Sequence, residues 1–307
     1  MTAKTLARRD VRSAVAAAVL CTVTLLCTQS LRADELHGSE TGTIREAREF
    51  TLTLPMETTP RRVGTEVVDG LVVYQGDIIL GPASRFANNP VSRLLPSDQE
   101  GTTSAVAIDG ASFRWGSSII RYVLPTNHPQ LTDIQAAIRT VQLQTNLCML
   151  PRTTQAAYAQ FVNASGCSSF VGRQGSRQNI TIGGCSRGSI VHEIFHAAGL
   201  FHEQSREDRD QFVIVNLANV EPGRENNFTR NVTGASDIGT YDYGSIMHYS
   251  STAFSRNGQP TITIRRPPGT ANTIIGQRTA PSTRDIAAIN TLYPTRNQSA
   301  ACVQQRQ

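Results

Sequence analysis

The amino-acid sequence predicts an α+β protein. Segments of strand and helix character are mixed along the chain, without the regular βαβ alternation of a doubly wound sheet. Helical periodicity is confined to a few stretches, one of which carries two histidines four residues apart. A hydrophobic content of 39% in 307 residues is enough for a sizeable core, so disulfides would reinforce the fold rather than create it.

Residues 1–33 start with a basic stretch, Lys4 to Arg12, continue with the 15-residue apolar run SAVAAAVLCTVTLLC, and end in small residues around Ser30 and Ala33. This is the pattern of a secretory signal peptide, and the run is shorter than the roughly 20 residues of a spanning helix. No second long apolar stretch follows, so the mature chain is expected to be secreted, soluble, monomeric and without stable membrane insertion.

Charge divides the remainder. Residues 34–105 hold 11 acidic and 6 arginine side chains, whereas residues 106–307 hold 18 arginines and 12 acidic ones. A small acidic unit thus precedes a larger basic one, and PSDQEGTTS (Pro96–Ser104) reads as a linker. Once residues 1–33 are set aside the net charge is only +1, which removes the case for a nucleic-acid partner.

In the larger unit, IIRYVL (Ile119–Leu124) reads as a strand. LTDIQAAIRTVQLQTN reads as a helix with Ile134, Ile138, Val141 and Thr145 on one face, and Thr132 with Gln135 as a capping box. SSFVGR and NITI read as short strands between Cys167 and Cys185. SIVHEIFHAAG reads as a helix, and STRDIAAINTLY as a last helix capped by Ser282. Cys21 and Cys27 would leave with the signal peptide. Cys148, Cys167, Cys185 and Cys302 remain, an even number in an exported chain, for which two disulfides with three possible connectivities are expected.

The chemistry is concentrated in VHEIFHAAGLFHEQSREDRD. His192 and His196 are about 40° apart around a helix, one turn from each other, so both imidazoles reach one metal ion. A continuing helix would point His202 roughly 120° away from His196. The helix must therefore stop and the chain turn back. Gly199 permits that, because a C-terminal helix cap favours a left-handed backbone that costs glycine little. His-Glu-x-x-His-x-x-Gly-x-x-His thus specifies three nitrogen ligands and an open fourth position, which suits zinc. Glu193 beside the ligands is placed to take a proton from a water whose pKa zinc lowers from about 15.7 to about 7, and to return it to a leaving amine. A bare HExxH arises by chance in many helices; the glycine and third histidine at the required offsets make it specific.

HEIFHAAGLFHEQSREDRD resembles the extended signature of the astacin family of metzincin zinc proteases, and YDYGSIMHYS resembles that family's methionine turn. RWGSSIIRYVLP, NLCMLPRTTQAAYAQFV, GCSSFVGRQG and TRDIAAINTLYP extend the likeness over most of residues 106–307. The resemblance implies a two-lobed metzincin fold: a twisted mixed sheet and the zinc helix in the N-terminal lobe, an irregular C-terminal lobe with a last helix, and the cleft between. It implies zinc held by His192, His196 and His202, with Glu193 as general base and Met247 beneath the metal. Tyr249 would be an exchangeable ligand that swings to hydrogen-bond the oxyanion. It further implies pairings Cys148–Cys302 and Cys167–Cys185, and a mature amino terminus, near Ala105, buried against Glu203.

The same resemblance divides the chain into a signal peptide (1–33), a propeptide (34–105) and a catalytic domain (106–307). VVYQGDIILG resembles the family's propeptide motif, with Tyr74 in place of Phe, and makes Asp77 the carboxylate that binds zinc in the zymogen. Peptide or protein substrates would lie as an added antiparallel strand on NITI, taken as the edge. Asn179 on that strand is a sequon, and a glycan there would crowd the cleft, so it is expected to be unmodified. Two other readings exist: a secreted zinc-binding module without turnover, which intact Glu193 and Tyr249 oppose, and a zinc hydrolase of non-peptide amides.

Overall fold

The computed structural model describes residues 44–53, 61–87, 92–93, 105–230, 234–265 and 274–306. The signal segment and the expected linker Pro96–Ser104 lie outside the described residues. In chain order the upstream unit supplies β1 (Ile44–Thr53), β2 (Arg61–Val68), β3 (Leu71–Tyr74), β4 (Ile78–Pro82), the short α1 (Ala83–Ala87) and β5 (Ser92–Arg93). The larger unit supplies β6 (Ala105–Ile108), β7 (Ile119–Val123), α2 (Leu131–Gln144), β8 (Cys148–Pro151), β9 (Tyr158–Val162), β10 (Gly166–Ser169), β11 (Arg177–Gly183) and α3 (Arg187–Ala198). β12 (Val213–Val215), β13 (Ala235–Ile238), β14 (Ile262–Ile264), α4 (Thr283–Leu292) and α5 (Ala300–Arg306) complete it.

Both units share one ten-stranded mixed sheet in the order β5-β1-β2-β3-β4-β10-β11-β9-β7-β8. The upstream strands from β1 to β4 form an antiparallel meander. β11, β9, β7 and β8 run parallel to their neighbours, and β10 turns back antiparallel on β11. The expected α+β class holds.

The placement of NITI as the edge strand does not hold. β11 is paired on both sides: Ile180, Thr181 and Ile182 face β10, and Asn179, Ile180 and Thr181 face β9. The outer strands of the larger unit's part of the sheet are β10 and β8, and β10 is the one beside β11. Alternating side chains report which face a residue occupies and say nothing of what lies beside the strand. Asn179 therefore does not stand on an open edge, and a glycan there would not block one.

Helix α2 buries Ile134, Ala137, Ile138 and Val141 on one face, as the spacing requires. Its expected capping box at Thr132 is absent; the cap position falls on Gln130, and no side chain caps it. The Gln130 amide is instead drawn into a tertiary staple. It donates to the Cys185 carbonyl (2.6 Å) and accepts from the N–H groups of Gly184 (2.7 Å) and Cys185 (3.0 Å). α4 does carry the capping box, made by Ser282 and Asp285. It is not the last helix, because α5 follows and is tied back by Cys148–Cys302. The second disulfide, Cys167–Cys185, closes the β10–β11 hairpin.

Every residue of α3 from Gly188 to Ala198 is buried. One side packs in the main core with Ile134, Val141, Phe161, Ile180 and Ile289. A second apolar cluster (Val213, Phe228, Tyr241, Tyr249, Phe254, Ile262) forms the C-terminal lobe. A third joins Val63, Val72, Tyr74, Ile78 and Phe86 of the upstream unit to Val106, Ile108, Phe113, Val171 and Phe201. No helix among the described residues is long and apolar enough to cross a membrane.

The first turn of α3 leaves no room at Gly188, where an added Cβ would stand 1.7 Å from the Arg278 carbonyl oxygen. Gly188→Ala is expected to destabilise the protein by about 1–3 kcal/mol, the usual cost of overpacking. Denaturant unfolding of the two proteins measures this, and equal midpoints would contradict the contact.

Candidate metal centre

The helix break is built as the spacing demands. Gly199 caps α3 at φ 115° and ψ 10°, in the left-handed region, and its N–H reaches back to the His196 carbonyl. The returning chain is caught by β6: Ile108 N–H donates to Gly199 O (2.8 Å) and Phe201 N–H to Val106 O (2.6 Å). His202 follows in extended conformation at the head of a 3-10 turn, Glu203–Ser205. Trp115 fixes the end of α3 from the other side, its indole N–H donating to Ala197 O at 2.7 Å.

Three imidazoles meet here, with ring centroids 4.6 Å (His192–His196), 4.8 Å (His196–His202) and 5.3 Å (His192–His202) apart. Their Nε2 atoms surround the Asp77 carboxylate at 3.4 Å for His192, 3.6 Å for His196 and 3.1 Å for His202. One ligand atom from each of the four residues lies within 4.8 Å of the others. Each Nδ1 has an acceptor: Ile246 O for His192 (2.7 Å), Leu200 O for His196 (2.7 Å) and Gln75 Oε1 for His202 (3.3 Å). Because a carbonyl only accepts, these Nδ1 atoms carry the protons and the Nε2 lone pairs face inward. Nε2 of His192 and of His196, and Oδ1 of Asp77, are buried without a hydrogen-bond partner. Buried polar atoms left so are costly, and three imidazole nitrogens with a carboxylate oxygen are a donor set that fits zinc.

The electrostatics follow from burial. Desolvation holds His192 well below its ordinary pKa, with Arg278 adding to it. Burial and the Asp77 charge push Glu193 well up, partly offset by Arg278. Burial alone would raise Asp77, yet the imidazoles, His202 foremost, hold it well below the usual carboxylate range. Burial raises the Tyr249 phenol, so it stays protonated; it donates to the Gln75 carbonyl. Met247 is buried in the main core, and its carbonyl accepts from Glu203 N–H (3.1 Å). Glu203 is raised to about 8 by burial, accepts from Asp242 N–H at 2.8 Å and lies 3.8 Å from Arg206.

Four residues that the sequence reading passed over stand at the site. Gln75 accepts from Ser205 Oγ (3.1 Å) as well as His202. Gln204 Oε1 accepts from Tyr249 N–H (3.0 Å). Arg278, held at about 10 by burial, donates to His248 O (2.9 Å). Asp285 holds the turn that precedes Met247. Gln75 stood two residues from Asp77 in a motif already singled out; the others carried no signal of spacing or composition.

Residues 107–294 match the family described as Astacin, a peptidase family. Zinc metalloproteinase nas-13 of Caenorhabditis elegans is 40% identical over 194 residues, 61% of this chain and 42% of that protein. Blastula protease 10 of Paracentrotus lividus is 38% identical over 233 residues, 72% of this chain and 38% of that protein. The chain thus spans less than half the length of these two relatives. High choriolytic enzyme 1 of Oryzias latipes is 36% identical over 223 residues, 68% of this chain and 81% of that protein. The solved structure of that hatching enzyme zinc-protease has a TM-score of 0.55 at 33% identity, covering 62% of this chain and 100% of the other.

Replacing His202, the candidate ligand beyond the break, tests whether the return of the chain completes the site. His202→Ala is expected to reduce bound zinc well below the parent's after dialysis, by elemental analysis. Parental zinc content in that variant would mean that His192 and His196 suffice.

Proposed function

The chain belongs to the astacin family, and on that premise we propose that it is a secreted zinc endopeptidase made in a latent form. The division is a signal peptide at 1–33, a propeptide at 34–105 and a catalytic domain at 106–307. His192, His196 and His202 would hold zinc, which when bound polarises the scissile carbonyl and acidifies a water. The observation that supports this reading most is the Asp77 carboxylate seated among the three Nε2 atoms, 3.1 to 3.6 Å from them.

Glu193 is the general base. Its burial raises its proton affinity, which favours a carboxylate that takes a proton in one half of the reaction and gives it to the leaving amine in the other. Tyr249 is engaged by the Gln75 carbonyl while the propeptide is in place. Released, its phenol is a donor available to the developing oxyanion.

The outer edge of β10 is the natural seat for an extended peptide. The propeptide occupies it in the parallel sense, with Ser169 paired to Ile78 and Ser169 N–H donating to Asp77 O at 2.9 Å. A substrate lying antiparallel would run the other way. Latency then has two parts, a carboxylate in the metal site and a reversed strand in the cleft. The buried pair between Glu66 and Arg224 and the fit of Gly64 against the Asn226 side chain add to the second.

Ala105, near the expected mature start, is held at φ 115°. That conformation costs a residue with a side chain about 1–3 kcal/mol. A residue at the start of a chain has no φ to hold, so a cut just before Ala105 would remove that constraint. Cleavage there would relieve the strain and free an amine close to the chain that carries Glu203.

Cleavage of a peptide library by the processed protein, with and without a chelator, tests the activity. Glu193→Ala is expected to keep near-stoichiometric zinc and to lose hydrolysis by orders of magnitude; casein cleavage near the parental rate would remove Glu193 from the role of base. The Asp77→Ala precursor is expected to cleave small peptides measurably before any processing, though less than the processed enzyme because the reversed strand remains. An equally silent precursor would show that cleft occlusion alone maintains latency.

A further inference from the structure

We propose that Asp285 is a positioning residue for the metal site, acting on His192 through a chain of hydrogen bonds that crosses the turn before Met247. The inference rests on the reading of His192 as a zinc ligand. His192 Nδ1–H donates to the carbonyl of Ile246 at 2.7 Å. That carbonyl belongs to the peptide unit whose N–H is that of Met247, and Met247 N–H donates to Ser245 Oγ at 2.9 Å. Ser245 Oγ–H donates in turn to Asp285 Oδ1 at 2.6 Å. Imidazole, peptide, hydroxyl and carboxylate are thus linked with every donor pointing the same way, toward the carboxylate.

The chain is dry: His192, Ser245, Ile246, Met247 and Asp285 are each no more than 3% exposed. In low dielectric such a sequence polarises along its length, so the Ile246 carbonyl is a stronger acceptor than an isolated peptide. The carboxylate itself is clamped, since Oδ2 accepts from Ile246 N–H and Ser282 N–H, both at 2.8 Å. A direct carboxylate–histidine link is a common way to fix the tautomer and angle of a metal-binding imidazole. Here the carboxylate stands three hydrogen bonds away and reaches the ring through the backbone. The other two histidines reach no carboxylate in this way: His196 runs through the Leu200–Phe201 peptide to Val106 O, and His202 goes to Gln75 of the upstream segment. His192 is the ligand whose orientation is set from the C-terminal lobe, and α4 is the element that sets it.

Three substitutions separate this from a structural role. Asp285→Asn keeps the shape and leaves one oxygen for Ile246 and Ser282, but presents an N–H to Ser245 and reverses the last hydrogen bond, so that Ser245 Oγ faces donors from both Met247 and the new amide. Ser245→Ala cuts the chain at the hydroxyl and leaves the Asp285 clamp intact. Ser282→Gly weakens the cap of α4 and leaves the chain intact. Zinc dissociation constants from chelator competition on the processed proteins are expected to rise about 10–100-fold for Asp285→Asn and Ser245→Ala, and to stay within a few-fold of the parent for Ser282→Gly, with unfolding midpoints measured alongside. If Asp285→Asn does not fold, Ser245→Ala decides. Parental affinity in Ser245→Ala, or equal loss in Ser282→Gly, would overturn the relay while His192→Ala still loses zinc. Parental affinity in His192→Ala would overturn the ligand assignment on which it stands.

Discussion

Three imidazole rings buried within about 5 Å of one another impose a polar requirement that shapes everything around them. Their inward nitrogens face the candidate metal site, so each outward nitrogen must find an acceptor without water. The three acceptors come from three places: the end of the zinc helix, the turn before Met247, and the upstream unit. Meeting that requirement joins elements more than fifty residues apart in sequence. The glycine break is one consequence, since a continuous helix cannot supply the third ring. The return of the chain over β6 is another, because the break exposes backbone groups that β6 satisfies.

The larger unit and the upstream segment are consequently built around the same atoms. Gln75 completes the hydrogen bonding of His202 and Ser205 and also takes the Tyr249 phenol on its backbone carbonyl. It does so fully buried and at φ 49°, a conformation uncommon for a residue with a side chain. The upstream segment therefore meets the site at three points, Asp77, Gln75 and the edge of β10.

What the sequence disclosed was mostly local. Helical spacing placed His192 and His196, and their misfit with His202 required the break at Gly199. Ser282 was readable as a cap because the capping box is a contact within four residues. What escaped was decided by distant partners. Thr132 had the right neighbours for a capping box, but Gln130 was claimed by the hairpin. NITI had strand alternation, but alternation carries no information on whether a second strand lies alongside. Arg278, Gln204 and Asp285 act through contacts that span at least thirty residues, and such pairings leave no periodic trace.

On the proposed reading of the upstream segment, its two contributions to latency are unequal in energy. Its apolar contacts bury Val63, Val72, Tyr74, Ile78 and Phe86 against the larger unit, and a fully buried side chain of this kind contributes about 1.5–3 kcal/mol. Part of that burial is internal to the segment's own meander, but Val106, Ile108, Phe113, Val171 and Phe201 share the cluster. The Asp77 carboxylate adds attraction to the metal site against a desolvation cost that burial makes large. Docking is thus held chiefly by apolar packing and strand pairing, while the carboxylate acts on the chemistry. On the proposed reading, activation would have to release this packed segment as well as cut the chain, because the acidic unit is built into the apolar cluster rather than laid over it.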